Sequence, residues 1–120
     1  AFGFVQLADF QGANDNPAGG DGWARVREAQ RKSLTIPNTG MAVIIDIGDA
    51  KDIHPRNKQD VGKRLALWAL ANVYGKSVAF SGPTYESMRV DGAKAVLTFD
   101  HADGLKSSDG GTLKGFAVSL

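Results

Sequence analysis

The sequence predicts an α/β chain: a β-α-β-α segment of a parallel sheet over residues 1–76, then the start of an antiparallel β-sandwich-like domain over 77–120. Two observations predict the first part. Apolar runs at Phe2–Ala8 and Met41–Ile47 lack the alternation of a half-solvated strand, and each is followed by a loop and an amphipathic helical stretch. One observation predicts the second. After Gly75 the apolar runs become short and are separated by Gly, Asp and Ser, with an Asp91-Gly92 turn signal among them.

Phe2 to Leu7 is the first strand, and it begins at once. A chain that starts in mid-strand is expected to be a piece of something longer. The loop Asp9 to Asp21 is rich in Gly, Asn and Asp, a composition suited to the functional rim of a sheet. Trp23 to Leu34 is the first helix. Trp23, Val26, Ala29 and Gln30 recur at helical spacing, and Arg25, Arg27, Arg31 and Lys32 form a basic exposed face. Asp21 is its expected N-cap. Pro37 stops the helix, and Asn38-Thr39-Gly40 is turn chemistry.

Met41 to Ile47 is the second strand, expected to be central and covered on both faces. Gly48 to Pro55 is a loop. Asn57 to Tyr74 is the second helix, opened by a capping-box-like pair of Asn57 and Asp60 and closed by Gly75. Its apolar stripe is Val61, Leu65, Trp68, Leu70 and Val73. Two parallel strands do not make a stable sheet alone, so further strands are expected from elsewhere. Beyond Gly75, β-type runs fall at Val78–Phe80, Thr84–Val90, Ala95–Phe99 and Gly115–Ser119, and His101–Leu113 is a loop.

Composition narrows the chemistry. Lys plus Arg number 14 against 13 Asp plus Glu, a formal net charge of +1, which argues against nucleic acid or an anionic membrane as the main partner. There is no cysteine, so thiolate catalysis, disulfides and Cys-based metal sites are excluded. No apolar run reaches the length of a membrane-spanning helix.

His54 stands in the loop after a buried strand, at the carboxyl end where open α/β sheets hold their sites. It is a candidate general base, and Asp46, Asp49 and Asp52 are near enough in sequence to orient its ring. Alternatively it caps the following helix or packs under the loop. The irregular spacing of the aspartates and the lack of a second histidine nearby disfavour a metal site, and no cofactor is expected. His101, beside Asp100 and Asp103, reads as a solvated turn residue. None of the serines sits in the strand–turn–helix setting of an activated nucleophile. Arg27 and Gln30 are candidate binding residues. Gln11 to Asn16 suits a sugar site, since Asn, Asp and Gln recognise hydroxyls.

A family resemblance joins these pieces. Val5-Gln-Leu7, Arg27-Glu-Ala-Gln-Arg31, Pro37-Asn-Thr-Gly-Met41, Asp46-Ile-Gly-Asp49, Asp52-Ile-His-Pro-Arg-Asn-Lys58 and Arg64-Leu-Ala-Leu67 resemble, in this order, the C-terminal half of a sialate O-acetylesterase. Ser81-Gly-Pro83, Phe99-Asp-His101 and Leu113-Lys-Gly-Phe116 are similar to the β domain that follows in bacterial members. The resemblance implies the flavodoxin-like three-layer α/β/α fold of the SGNH hydrolase superfamily, of which only the last β-α-β-α is present. It implies a serine esterase that removes acetyl groups from sugar hydroxyls, such as those of 9-O-acetylated sialic acid. His54 is then the base.

The serine and oxyanion-hole blocks of the family lie upstream. The implied partners are therefore an acetylated sugar and an N-terminal portion of the same enzyme carrying the serine, and the chain alone is expected to be inactive. The superfamily's usual carboxylate stands three residues before the histidine, and that position is Lys51. Asp52 is the expected acid, with Asp49 or a backbone carbonyl as alternatives. An acetylxylan esterase of the same superfamily and a non-catalytic carbohydrate-binding module are the rival readings. An exported location is favoured by the resemblance.

Overall fold

In the computed structural model, which describes residues 1–14, 16–18 and 22–118, strand β1 (Phe2–Val5) lies parallel to β2 (Thr39–Ala42). Phe2 faces Thr39 and Gly3 faces Gly40. The Phe2 N–H donates to the Asn38 carbonyl at 2.7 Å and the Gln6 N–H to that of Ala42 at 2.9 Å, so the bonding runs past both strand ends. Helix α1 (Gly22–Lys32) and a short 3₁₀ turn (Ser33–Thr35) connect the strands, and α2 (Lys58–Asn72) follows a long loop. The chain divides into two units, Ala1–Phe80 and Ser81–Leu120.

In the first unit α2 lies against β1 and β2. The reason is local. Gly3 and Gly40 are register partners, so the sheet has a flat spot two strands wide. The Trp68 indole occupies it: a Cβ built on Gly40 would fall 1.9 Å from the ring. At Gly3 the nearest side-chain atoms, from Leu65 and Trp68, would be at 3.6 Å or more, an ordinary contact. Ala8, Ala42 and Ile44 are buried, and Gln6 is the buried polar residue among the described residues. Gln6 reaches the Arg27 carbonyl with its Nε2 at 3.3 Å, which satisfies the amide.

The helix ends follow their chemistry. The Ser33 hydroxyl donates to the Gln30 carbonyl at 2.6 Å and the Thr35 hydroxyl to that of Lys32 at 3.0 Å, satisfying carbonyls that α1 leaves open. The α-helix therefore ends at Lys32, two residues short of the Leu34 expected. Its expected N-cap, Asp21, lies outside the described residues. Asn57 caps α2 by accepting the Asp60 N–H at 3.1 Å. The Asp60 carboxylate returns to the Asn57 side-chain amide at 2.6 Å instead of its backbone N–H, so the box closes through side chains. Gly75, at φ +64°, turns the chain so that the Lys76 N–H reaches the Leu70 carbonyl at 2.8 Å.

Four strand expectations are corrected here, the first being that β1, expected to run to Leu7, ends at Val5. The apolar run expected as one strand from Met41 to Ile47 is paired only to Ala42. Its partner β1 ends at Val5, and the Ile47 N–H closes a turn onto the Ile44 carbonyl at 3.3 Å. Among the described residues β2 pairs on one side only, and Val43 and Ile45 are exposed. Val78–Phe80 and the described part of Gly115–Ser119 form no strand. No partner strand stands beside either run among the described residues, and a β-type run without a ladder stays irregular.

The second unit carries an antiparallel hairpin, β3 (Thr84–Asp91) with β4 (Lys94–Asp100). Tyr85 faces Phe99, their rings edge-on at 6.4 Å. The register then slips at Glu86, an extra residue that makes a β-bulge. Asp91 pairs with Lys94, so Gly92 and Ala93 form the turn. Gly92 alone has positive φ, at +59°, which is the II′ pattern. The Asp-Gly signal marked the right place, with glycine first in the turn rather than second.

Candidate active site

Both parallel strands end at the same edge, so the loops that follow them emerge side by side. They are joined by two hydrogen-bond rungs, one onto a side chain and one between main chains. The Gly48 N–H donates to Asp9 Oδ1 at 2.8 Å, and the Gln11 N–H donates to the Ala50 carbonyl at 3.0 Å. Gln11 takes φ +73°, an uncommon conformation for a residue with a side chain.

The second of these loops presents His54. Pro55 beside it is buried, while the His54 side chain is 84% exposed. Asp52 holds the histidine twice through one oxygen. Oδ1 accepts the His54 backbone N–H at 2.9 Å and lies 3.1 Å from Nδ1 of the ring. A proton on Nδ1 shared with Asp52 leaves Nε2 as the free, basic nitrogen. The bond from the His54 backbone N–H, and then that from the ring, hold the Asp52 carboxyl below the usual range for an aspartate. His54 does not cap α2, a task that Asn57 performs.

The three nearby aspartates have different tasks. Asp49 Oδ1 accepts the Lys51 N–H at 2.8 Å, a turn within the loop. Asp46 receives the guanidinium fork of Arg64 at 2.6 and 2.7 Å. Arg64 Nη1 also donates to the Val43 carbonyl at 2.7 Å. The Arg64 hydrogen bonds hold the Asp46 carboxyl below its ordinary range, and Asp46 in turn raises the guanidinium. That leaves Asp52 as the carboxylate on His54. The loop is pinned at its start by Arg64 and at its end by the Asn57 cap.

A cleft of about 540 Å³ opens beside the first loop, with Asp9, Phe10, Gln11, Asn14, Trp23 and Arg27 in its wall. Phe10 meets Trp23 edge-on at 5.5 Å. Arg27 is half-buried and donates from Nη1 to the Ala8 carbonyl at 3.4 Å. Gln30 stands elsewhere. Its Oε1 accepts the Leu7 N–H at 2.9 Å and its Nε2 reaches the Val5 carbonyl at 3.5 Å, so the amide extends the edge of β1 as a strand would. The structure thus brings His54 and Asp52 together and sets Arg27 in the cleft, but neither His54 nor Gln30 lines that cleft. Arg31 forks onto Glu28 at 2.7 Å on the exposed face of α1. His101, at φ +53°, sits in a turn after β4 with Nε2 3.7 Å from Asp100. Among the described residues no three His, Asp or Glu gather as a metal-holding group.

Sequence reasoning missed Asp9, Gly48 and the pairing of Asp46 with Arg64. Their partners are 39 and 18 residues apart. An aspartate just past one parallel strand and a glycine just past the next were the signal available.

No family model matches the chain. The chain is similar to the sialate O-acetylesterase of Mus musculus, 33% identical over 126 residues that cover 94% of the chain and 23% of that protein. It is similar to the sialate O-acetylesterase of Homo sapiens, 34% identical over 111 residues, 83% of the chain and 21% of that protein. Among solved structures, a carbohydrate acetylesterase from Xanthomonas citri matches with 50% identity and a TM-score of 0.73, over 82% of the chain and 22% of that structure. The chain therefore spans less than a quarter of the length of each of these relatives.

Proposed function

Because the chain belongs to the sialate O-acetylesterase family, we propose that it supplies the base of a carbohydrate O-acetylesterase, with His54 as that base and Asp52 as its orienting acid. The observation that carries this is the double hold of one Asp52 oxygen on the His54 backbone and ring. It leaves Nε2 free in a loop at the carboxyl end of the parallel strands. The fold to which β1–α1–β2–α2 contributes is the three-layer α/β/α core of an SGNH hydrolase, and the β3–β4 hairpin opens a β domain after residue 76.

The chemistry runs in two halves. A serine hydroxyl from beyond these residues attacks the acetyl carbonyl of the sugar ester, and His54 Nε2 takes its proton. The tetrahedral oxyanion collapses, the ester C–O bond breaks, and His54 gives the proton to the departing sugar oxygen. Water then attacks the acetyl-serine while His54 takes a proton from it. Acetate leaves, and His54 returns the proton to the serine oxygen. Asp52 stabilises the imidazolium that forms twice in the cycle.

Arg27, Gln11 and the Trp23 ring suit a sugar in the cleft, offering donors for hydroxyls and an apolar face. Gln30 acts at the substrate one step removed, by fixing Leu7 and the strand end from which the cleft loop starts. The test is reconstitution. The 120-residue chain alone is expected to hydrolyse p-nitrophenyl acetate no faster than its His54→Ala variant. Joined to a serine-bearing N-terminal portion it gains His54-dependent hydrolysis. Hydrolysis by the isolated chain that depends on His54 would overturn the need for an outside serine.

A further inference from the structure

Asp9 has two relationships that the esterase chemistry does not use. Its Oδ1 accepts the Gly48 N–H at 2.8 Å, and it forms part of the wall of the cleft in which Arg27 stands. The approach to Gly48 is close. A Cβ at that position would lie 2.1 Å from Asp9 Oδ1 and 2.4 Å from the Asp9 carbonyl, so glycine is the residue that fits. The rung from Gln11 to Ala50 repeats the join two residues further along each loop. Between them the rungs hold Gln11 at φ +73°, a conformation that persists when its surroundings fix it. No ladder pairing reaches these residues, since β1 ends at Val5 and β2 at Ala42.

We propose that Asp9 is a positioning residue for His54: its carboxylate clasps the Gly48 N–H and sets the histidine loop against the cleft loop. The inference rests on the esterase reading above. The bond is charge-assisted, and it is the first point at which the His54 loop is held to the substrate side of the site. From Gly48 the chain runs through the Asp49 turn and the Asp52 turn to His54, each closed by its own side-chain bond. A shift at Gly48 therefore passes to the imidazole instead of being absorbed. A displacement of about 1 Å at a reacting group lowers rate by on the order of 100-fold.

The experiment uses the full-length esterase that contains these residues, with kcat and KM measured for an acetylated sugar in Asp9→Ala, Asp9→Asn and His54→Ala variants. Asp9→Ala is expected to lower kcat by about tenfold or more with KM within about twofold. Asp9→Asn keeps an oxygen acceptor for Gly48 and is expected to recover kcat to within roughly threefold of the parent. A general loss of fold moves both variants together and is seen in their melting temperatures. The proposal is overturned if Asp9→Ala keeps the parent's kcat, if its loss falls in KM alone, or if Asp9→Asn is as impaired as Asp9→Ala. An intact Asp9→Ala beside an inactive His54→Ala removes this inference and leaves the esterase reading standing. An active His54→Ala removes both.

Discussion

One oxygen of Asp52 serves both the backbone and the ring of His54: Oδ1 lies 2.9 Å from the backbone nitrogen and 3.1 Å from Nδ1. The same oxygen that closes the turn also chooses the face that the imidazole shows. In the full-length enzyme Asp52→Asn is therefore expected to lower kcat/KM for an acetylated sugar by roughly 10- to 100-fold. Amide for carboxylate keeps an acceptor for the turn but loses the charge that favours the imidazolium. The effect stays modest because the pair is solvent-exposed. Steady-state kinetics on the purified variant measure it, and an unchanged kcat/KM would assign the acid role elsewhere.

The same pair has a pH signature. The two bonds from His54 lower the Asp52 carboxyl, so its ionised form is favoured in the folded chain. A lowered carboxyl group keeps its bonds above the ordinary aspartate value of about 3.9 and loses them as pH falls through the lower folded value. The His54 backbone amide shift, followed by NMR from neutral to acid pH, is expected to step with a midpoint below about 3.9. Asp52→Asn removes the step.

Arg64 joins three parts of the first unit: α2, the Val43 carbonyl and the Asp46 carboxylate. Arg64→Ala is expected to destabilise by about 1 kcal/mol, since an ion pair this exposed is worth little and the lost carbonyl bond adds to it. Asp46→Asn is milder, because the bond to Val43 survives. Urea midpoints of the two variants give the comparison. Asp46 is also lowered by its Arg64 bonds, so this contribution is present at neutral pH and fades as pH falls below the ordinary aspartate range.

The two register-paired glycines differ in what they tolerate. Gly40→Ala puts a methyl group into the Trp68 ring and is expected to destabilise by roughly 1–3 kcal/mol. Gly3→Ala meets only ordinary contacts and is expected to leave stability nearly unchanged. Thermal melts of both single variants test this. Equal losses at the two positions would contradict the packing described.

What was legible in the sequence follows from how local each signal is. Both helices were legible from their spacing, and α2 also from its caps, because Asn57, Asp60 and Gly75 act within a turn of where they stand. The hairpin was legible from Asp91-Gly92, although the turn type depends on which residue takes positive φ. The end of β2 was not legible. Val43, Ile44, Ile45 and Ile47 continue the apolar pattern, and a pattern does not say where the neighbouring strand stops. The candidate site was legible in its local parts only. His54 announces itself by its place between strand and helix. Choosing among Asp46, Asp49 and Asp52 required knowing that Arg64, on the next helix, binds the first, and that the second turns back onto Lys51. The Asp9–Gly48 clasp joins loops 39 residues apart, beyond the reach of any periodicity.

His54 is proposed above as the base of a carbohydrate acetylesterase. Acetate release from an acetylated sugar, by the full-length enzyme and its His54→Ala variant at neutral pH, tests it most directly. The expected result is a fall in kcat/KM of at least about 100-fold, with the folded state retained. A variant that releases acetate at the parent rate would contradict it and make His54 an ordinary exposed loop residue.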